Sequence, residues 1–235
     1  MTSTDNQGSP KGFYLKRAGI GAISAFFLTM ASGIAQANEG QPVKLKPSQA
    51  VSLDGSEPIL GDAKARFLLV GFSDFECPAC AYSAPKINEM VQQYKAHLKM
   101  AFKHYPLSNI CNENMSRPAH DKACMAAVAA DCAQAQGLFW EMANSLLTNQ
   151  SFINETNIRI MAEQVKLDAI AFEQCFSKMD YSGIKADIKA ADAVNIQGTP
   201  SYYLNDAKTN LWYEVKHTED LPSMLKTLNP ALSID

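Results

Sequence analysis

The chain has 235 residues, of which 47% are hydrophobic and 19% are charged, so its composition is that of an ordinary globular protein with one or two domains. Its formal net charge is −3 at pH 7, and its Lys and Arg residues form no cluster beyond the N-terminal segment. These features exclude a nucleic-acid-binding protein that relies on a basic surface.

The N-terminal segment has the parts of a secretory signal. Basic residues precede an apolar stretch at 18–34, and the small-residue pattern that a signal peptidase cuts after follows at 35–37. We therefore predict a signal peptide over 1–37, with cleavage before Asn38. An uncleaved membrane anchor is the alternative, because the apolar stretch approaches the length that spans a bilayer. Export would place all six cysteines in a periplasmic or otherwise oxidising compartment, where disulfides persist.

The segment that follows, 38–57, is polar and rich in turn-forming residues. We predict that it is a flexible tether ahead of one domain at 58–235. The domain begins with a predicted short edge strand at 58–62 and a second, apolar strand at about 66–72. A helix is predicted from the end of that strand to about residue 97.

Cys77 and Cys80 stand at CxxC spacing where this strand ends and the helix begins. Side chains at i and i+3 of a helical turn lie on one face, so the two sulfurs can form a reversible disulfide. The helix N-terminus favours an anion, which makes Cys77 the predicted nucleophilic thiolate and Cys80 the less exposed resolving thiol. Pro78 suits the first helical position and stiffens the loop. Half of a zinc site is the alternative interpretation of this motif.

The rest of the chain is predicted to contain one more strand, a long helical region, and then two strands and a final helix. An alternating pattern predicts a strand at 98–104, and the pattern is almost wholly helical from about 118 to 195. Two more strands are predicted at about 201–205 and 211–215, with a final helix at about 219–228. A βαβ unit, a helical block and a second pair of strands together indicate an α/β fold.

A Gly198-Thr199-Pro200 step opens the first strand after the helical block. With the CxxC motif, this step makes the chain resemble the DsbA family of thioredoxin-like thiol oxidoreductases. The resemblance extends over about 58–229 and rests on four motifs in the same order as in the family. These are Phe72–Cys80, Phe102–Leu107, Gln136–Glu141 and Gly198–Asn205.

The resemblance implies a thioredoxin-like α/β fold with a helical insertion at about 118–195 between the two halves of the central sheet. It implies that Pro200 is cis and lies against the CxxC, and that Thr199 and Pro200 bind the substrate. It implies no cofactor, and a membrane quinone-linked redox partner of the DsbB or vitamin K epoxide reductase type. One departure is Gly71, which stands where the family often has a buried Glu that moves the proton of the resolving cysteine. Water or Asp74 would then have that task.

The other four cysteines are expected to form structural disulfides. Cys124 and Cys132 are predicted to share a helix about 12 Å apart, so they cannot bond to each other. Cys111 lies in the loop nearest the first turn of that helix, which favours the pairs Cys111–Cys124 and Cys132–Cys175; the crossed pairing is the alternative. A metal site of Cys111, His120 and Cys124 is a rival that an even cysteine count in an oxidising compartment disfavours.

Several other residues near these motifs are predicted to have structural roles and no role in the chemistry. His104 is expected to be packed or hydrogen-bonded, and His120 to be exposed at a helix start. Asp74 and Glu76 are close to Cys77 in the sequence, where a carboxylate would oppose a thiolate, and both are expected to be solvated. Three apolar residues are assigned to the helical core: Phe139, Trp140 and Met142.

The function that these observations favour is that of an exported, monomeric protein thiol:disulfide oxidoreductase that forms disulfides in secreted or periplasmic proteins. A reductase or isomerase of the same fold is the closest alternative, because Pro78-Ala79 between the cysteines lacks the histidine of the most oxidising family members. Two alternatives belong to other classes. One is a metallochaperone that binds Cu(I) through Cys77 and Cys80, and the other is a holdase whose cysteines are dispensable.

Overall fold

Strand β2 (Phe67–Ser73) is the central strand of a five-stranded sheet in the computed structural model, which describes residues 46–232. It is apolar along nearly its whole length and is buried on both faces, as a central strand requires. It pairs in parallel with β3 (Leu98–His104) and antiparallel with β4 (Ser201–Asp206). The edge strands are β1 (Ile59–Leu60) and β5 (Leu211–Val215), which give the order β1-β3-β2-β4-β5.

Seven helices complete the described part of the chain. Helix α1 connects β2 to β3, five helices lie between β3 and β4, and α7 follows β5. The predicted fold class, an α/β thioredoxin-like sheet whose halves are separated by a helical insertion, is confirmed. The helices are α1 Pro78–Gln93, α2 Ala123–Gln134, α3 Phe139–Thr148, α4 Glu155–Gln164, α5 Ala169–Phe176, α6 Ser182–Ala193 and α7 Leu221–Leu228.

Helix α2 forms the centre of the insertion. Its middle is a run of small buried residues, 126–130, which allows the neighbouring helices α3, α4 and α5 to pack close to its backbone. Phe139 and Met142 of α3 are buried in the core as predicted, while Trp140 is half-buried and donates a hydrogen bond to the carbonyl of Ile59 at 3.1 Å. The indole thus ties the insertion to the first edge of the sheet.

Two disulfides fasten this helical block, and they have the pairing predicted from the sequence. Cys111–Cys124 joins the loop after β3 to the first turn of α2, and Cys132–Cys175 joins the end of α2 to α5. The two bridges enclose sequence separations of 13 and 43 residues, so both restrict the unfolded chain. Because Cys111 and Cys124 are bonded to each other, the rival metal site with His120 is not formed.

The segment before β1 is not a free tether where the structure describes it. Pro47 bridges to Tyr213 of β5, and the side chain of Val51 is buried in the core. The prediction of a flexible tether over 38–57 is therefore wrong for 46–57, because an apolar side chain and a carboxylate in this polar stretch find partners far along the chain.

That carboxylate belongs to Glu57 and takes part in a buried cluster of charges. Lys103 of β3 is only 2% exposed, and its Nζ lies 2.9 Å from Glu57 and 2.7 Å from Asp187 of α6. Burial alone would lower the pKa of Lys103, but the two carboxylates raise it. Beside it, the predicted buried His104 shares a 2.9 Å hydrogen bond with Asp131 of α2. The cluster connects the segment before β1, the sheet and the insertion.

The predicted signal peptide at 1–37 and the first part of the predicted tether, 38–45, lie outside the described residues. Among residues 46–232, none of the helices combines the length and the apolar character that crossing a membrane requires.

Removing the buried cation should destabilise the fold strongly. In Lys103→Met the carboxylates of Glu57 and Asp187 remain buried without their cation, and we expect the free energy of unfolding to fall by about 3–5 kcal/mol. Chemical denaturation of the oxidised protein measures this loss. The matched control is Lys86→Met, which breaks the exposed pair with Glu219 and should leave the midpoint almost unchanged. Equal midpoints for the two variants would contradict the importance of the cluster.

Candidate active site

Cys77 lies between the end of β2 and the start of α1. Its N–H donates to the carbonyl of Asp74 at 3.1 Å, and its own carbonyl accepts hydrogen bonds from Cys80 at 3.0 Å and Ala81 at 3.2 Å. Pro78 occupies the first turn of the helix, where its missing N–H costs nothing. This arrangement places the Cys77 sulfur at the positive end of the α1 dipole and brings the Cys80 thiol to the same face.

The two thiols have opposite acidities. A hydrogen bond from the Cys80 thiol is the largest influence on Cys77; together with the Thr199 side chain and the N–H groups of Cys80 and Ala79 it outweighs burial and lowers the pKa of Cys77 to about 5. The same hydrogen bond holds the proton on Cys80 and, with burial, raises the pKa of Cys80 far above its ordinary value. Both thiols are free in this structure, and Cys80 is only 1% exposed. At neutral pH the negative charge of the pair therefore resides on Cys77, which makes its sulfur the more nucleophilic of the two.

The Thr199-Pro200 peptide bond is cis, as the resemblance implied, and lies against the CxxC. The Cys77 sulfur is 3.3 Å from the carbonyl oxygen of Thr199. The buried hydroxyl of Thr199 has no other partner among the described residues and favours the thiolate of Cys77. The structure thus brings together Cys77, Cys80, Thr199 and Pro200, which are far apart in the sequence.

Asp74 is not solvated as predicted; it is 1% exposed and organises the loop before Cys77. Its carboxylate accepts hydrogen bonds from the N–H of Glu76 at 2.7 Å, the N–H of Leu107 at 2.7 Å and Nδ1 of His120 at 2.8 Å. Glu76 is half-buried, and burial raises the pKa of its carboxyl group. The Asp-x-Glu spacing was a sequence signal for this role, because an Asp side chain commonly accepts from the N–H two residues ahead.

Those contacts also correct the assignment of His120. It lies before the start of α2 and is mostly buried, with 20% of its side chain exposed, instead of being an exposed residue of the helix. With Leu107, it connects the loop after β3 to the loop that carries Cys77.

Gln150 is a residue that the sequence reasoning missed. Its side-chain amide donates to the carbonyl of Phe75 at 2.8 Å and to that of Cys77 at 2.9 Å. It begins the short 3-10 helix Gln150–Phe152 of the insertion, so this amide fixes the CxxC loop to the helical block. A glutamine in a polar stretch gives no sequence signal of such a contact.

Comparisons with known proteins agree with this geometry. A family model described as thioredoxin matches residues 54–226. The solved structures that resemble the chain include BdbD from Bacillus subtilis, with 20% identity, a TM-score of 0.61 and coverage of 78% of this chain and 97% of that one. They also include DsbA2 from Pseudomonas aeruginosa, with 22% identity, a TM-score of 0.55 and coverage of 74% and 94%.

Curated relatives give a different kind of match. The chain is 30% identical over 159 residues to Na(+)/H(+) antiporter NhaA 3 of Salinispora tropica, which covers 67% of this chain and 23% of the relative. A second antiporter, NhaA 1 of Salinispora arenicola, is 28% identical over the same share of its length. The chain thus spans about a quarter of the length of these relatives.

The acidity of Cys77 should depend on the Cys80 thiol. In the reduced wild-type protein we expect the rate of Cys77 alkylation by iodoacetamide to rise with pH and to reach half its maximum near pH 5, the pKa of the thiolate. In Cys80→Ala the hydrogen bond is lost and this midpoint should move to higher pH. Mass spectrometry of the alkylated protein measures both profiles.

Cys80→Ser is the matched control, because its hydroxyl restores a hydrogen-bond donor and should return the midpoint towards the wild-type value. The explanation fails if Cys80→Ala titrates at the same pH as the wild type.

Proposed function

This chain belongs to the thioredoxin family, with a DsbA-like fold, and from that premise we propose that it is a protein thiol:disulfide oxidoreductase that forms disulfide bonds in exported proteins. The observation that carries the proposal is the stabilised thiolate of Cys77 beside a buried Cys80 thiol. A stabilised thiolate favours the reduced form of the pair, which makes the disulfide form an oxidant.

The proposed reaction exchanges one disulfide for another. A substrate thiolate attacks the Cys77 sulfur of the Cys77–Cys80 disulfide, and Cys80 leaves and takes up a proton. A second substrate thiol then attacks the substrate sulfur of the mixed disulfide and loses its own proton. Cys77 leaves as the thiolate, the substrate has lost two electrons, and the enzyme has gained them. We propose that Thr199 and Pro200 hold an extended substrate segment during this reaction. The carbonyl of Thr199 beside Cys77 and the cis bond to Pro200 support this role.

The cycle needs an acceptor for those two electrons. We propose a membrane quinone-linked partner of the DsbB or vitamin K epoxide reductase type, which would reoxidise Cys77 and Cys80 without a cofactor on this chain. We also propose a periplasmic or otherwise exported location and a monomeric enzyme. Two disulfides outside the CxxC support an oxidising compartment.

The redox equilibrium with glutathione tests the direction. A thiolate pKa of about 5 lies between the values of about 7 in thioredoxin and about 3.5 in DsbA, whose potentials are about −270 and −120 mV, so we expect the potential of Cys77–Cys80 to lie between these two. A value near the thioredoxin potential would contradict the oxidising direction and favour the reductase alternative.

A reduced, unfolded protein substrate separates the remaining alternatives. The oxidised wild type should remove its free thiols stoichiometrically, and Cys77→Ser should not. Faster reactivation of a scrambled substrate than of a reduced one would favour an isomerase. Full protection from aggregation by Cys77→Ser would favour the holdase, and a stoichiometric copper ion in the reduced protein would favour the metallochaperone.

Processing of the chain tests the proposed export. When the full chain is expressed in a bacterium with a secretory pathway, we expect the mature protein in the periplasmic fraction with Asn38 at its N-terminus, by N-terminal sequencing. A variant with Ala37→Pro should block cleavage. A full-length wild-type protein in the membrane fraction would contradict the cleaved signal and favour the anchor.

A further inference from the structure

Cys80 must exchange a proton with solvent in each turn of the proposed reaction, yet it is 1% exposed. When Cys80 leaves the disulfide it takes up a proton, and when it attacks a mixed disulfide at Cys77 it loses one. The pKa of Cys80, raised by the hydrogen bond to Cys77 and by burial, makes a bare thiolate at this position costly. A path for the proton is therefore part of the chemistry of this site.

Within residues 46–232, no carboxylate lines the cavity beside Cys80. Gly71 occupies the position of the expected acid. Both oxygens of the Asp74 carboxylate accept hydrogen bonds from the surrounding loops, from the N–H of Glu76 and from Leu107 and His120. The candidate that the sequence suggested besides water is therefore engaged elsewhere.

Tyr202 fills the space beside Gly71. A Cβ at Gly71 would lie 2.8 Å from Cε1 of Tyr202 and 2.7 Å from Cε of Met100, so these two side chains occupy the room that a larger residue 71 would need. Tyr202 stands opposite Gly71 in the β2–β4 register. A side chain at position 71 would therefore compete with Tyr202 for the same space.

The phenol of Tyr202 has a fixed hydrogen-bond direction. Its oxygen lies 2.8 Å from the hydroxyl of Ser83, which in turn donates to the carbonyl of Cys80 at 3.1 Å. Because the Ser83 proton is used for that carbonyl, the Tyr202 hydroxyl donates to Ser83 and its remaining lone pair is free to accept. Tyr202 and Ser83 are both buried, and together they form a short hydrogen-bonded chain behind the CxxC.

A cavity lies beside both Cys80 and Tyr202. It has a volume of about 70 Å³, which exceeds the roughly 10–15 Å³ that one water molecule needs. Its lining includes Cys80 and the polar side chains of Ser73, Tyr202, Asn88 and Asn144, which are enough partners for ordered water. Among the residues that the structure places around this cavity, none is an Asp, Glu, His, Lys or Arg.

We propose that Tyr202, held by Ser83, and Ser73 form with water in this cavity the proton path of Cys80, in place of a buried acid. When Cys80 attacks the mixed disulfide, its sulfur forms a bond to Cys77, the substrate thiolate leaves, and the Cys80 proton passes to cavity water and on to solvent. When the disulfide is opened by a substrate, the same path returns a proton to Cys80. The proposal rests on the proposed function, and it assigns Tyr202 as a positioning and proton-transfer residue.

The test uses Ellman's reagent, which needs neither a protein substrate nor the redox partner. The Cys77 thiolate of the reduced protein attacks the reagent and releases one thionitrobenzoate, and Cys80 then releases the second by attacking the mixed disulfide. In Tyr202→Phe we expect the second phase to slow at least about tenfold at neutral pH, with a changed pH dependence, while the first phase and the glutathione equilibrium stay as in the wild type. Ser73→Ala should slow the same phase.

Tyr203→Phe is the matched control, because it removes a tyrosine hydroxyl from the same strand but one that donates to the carbonyl of Val194, away from the CxxC. A second phase of wild-type rate in Tyr202→Phe, or an equal slowing in Tyr203→Phe, would overturn the proposal. A wild-type protein that fails to oxidise protein thiols but shows the two phases and the Tyr202 effect would contradict the proposed function alone.

Discussion

The antiparallel pairing of β2 with β4 is the constraint on which the candidate site depends. The end of β2 carries the chain into Cys77, and β4 begins beside that end, with Ser201 opposite Phe72. The residues just before β4, Thr199 and Pro200, are therefore delivered to the CxxC by the sheet itself, although about 120 residues separate them along the chain. The helical insertion can vary in content without moving these two elements, because their relative position is set by the hydrogen bonds of the strand pair.

One hydrogen bond divides the two thiols into different roles. The helix N-terminus and Thr199 favour the thiolate at Cys77 over a thiolate at Cys80. The thiol of Cys80 then keeps its proton and donates it in a hydrogen bond to the Cys77 sulfur. The same hydrogen bond thus lowers the pKa of Cys77 and raises the pKa of Cys80. That asymmetry explains why a site that reacts readily at Cys77 needs a separate arrangement to handle the proton on Cys80.

Features that depend on local sequence signals could be predicted, whereas features that depend on contacts between distant segments could not. The CxxC at a strand–helix junction and the Thr-Pro step predicted the fold class through the family resemblance, and the position of Cys111 near the first turn of the helix favoured the disulfide pairing that is formed. The hydrogen bond of Asp74 to the N–H of Glu76 was recognisable from the sequence as turn chemistry, but its burial depends on contacts with Leu107 and His120 that only the fold provides. The contacts of Gln150 with the CxxC loop join segments that only the fold brings together, as do the partners of Tyr202. No hydrophobic periodicity in the sequence around Gln150 or Tyr202 indicates these partners.

The buried ammonium of Lys103 has a consequence for the order in which the protein is completed. One of its carboxylate partners, Asp187, is synthesised 84 residues later, after most of the insertion. Until α6 is synthesised, Lys103 of β3 lacks one of its two carboxylate partners. We therefore expect β3 to pack stably only after the insertion has been made. Non-local closure of this kind slows folding and lengthens the time that a nascent chain spends open. For the exported protein that we propose, such a delay would keep the chain competent for translocation and leave the cysteines of the insertion accessible for pairing.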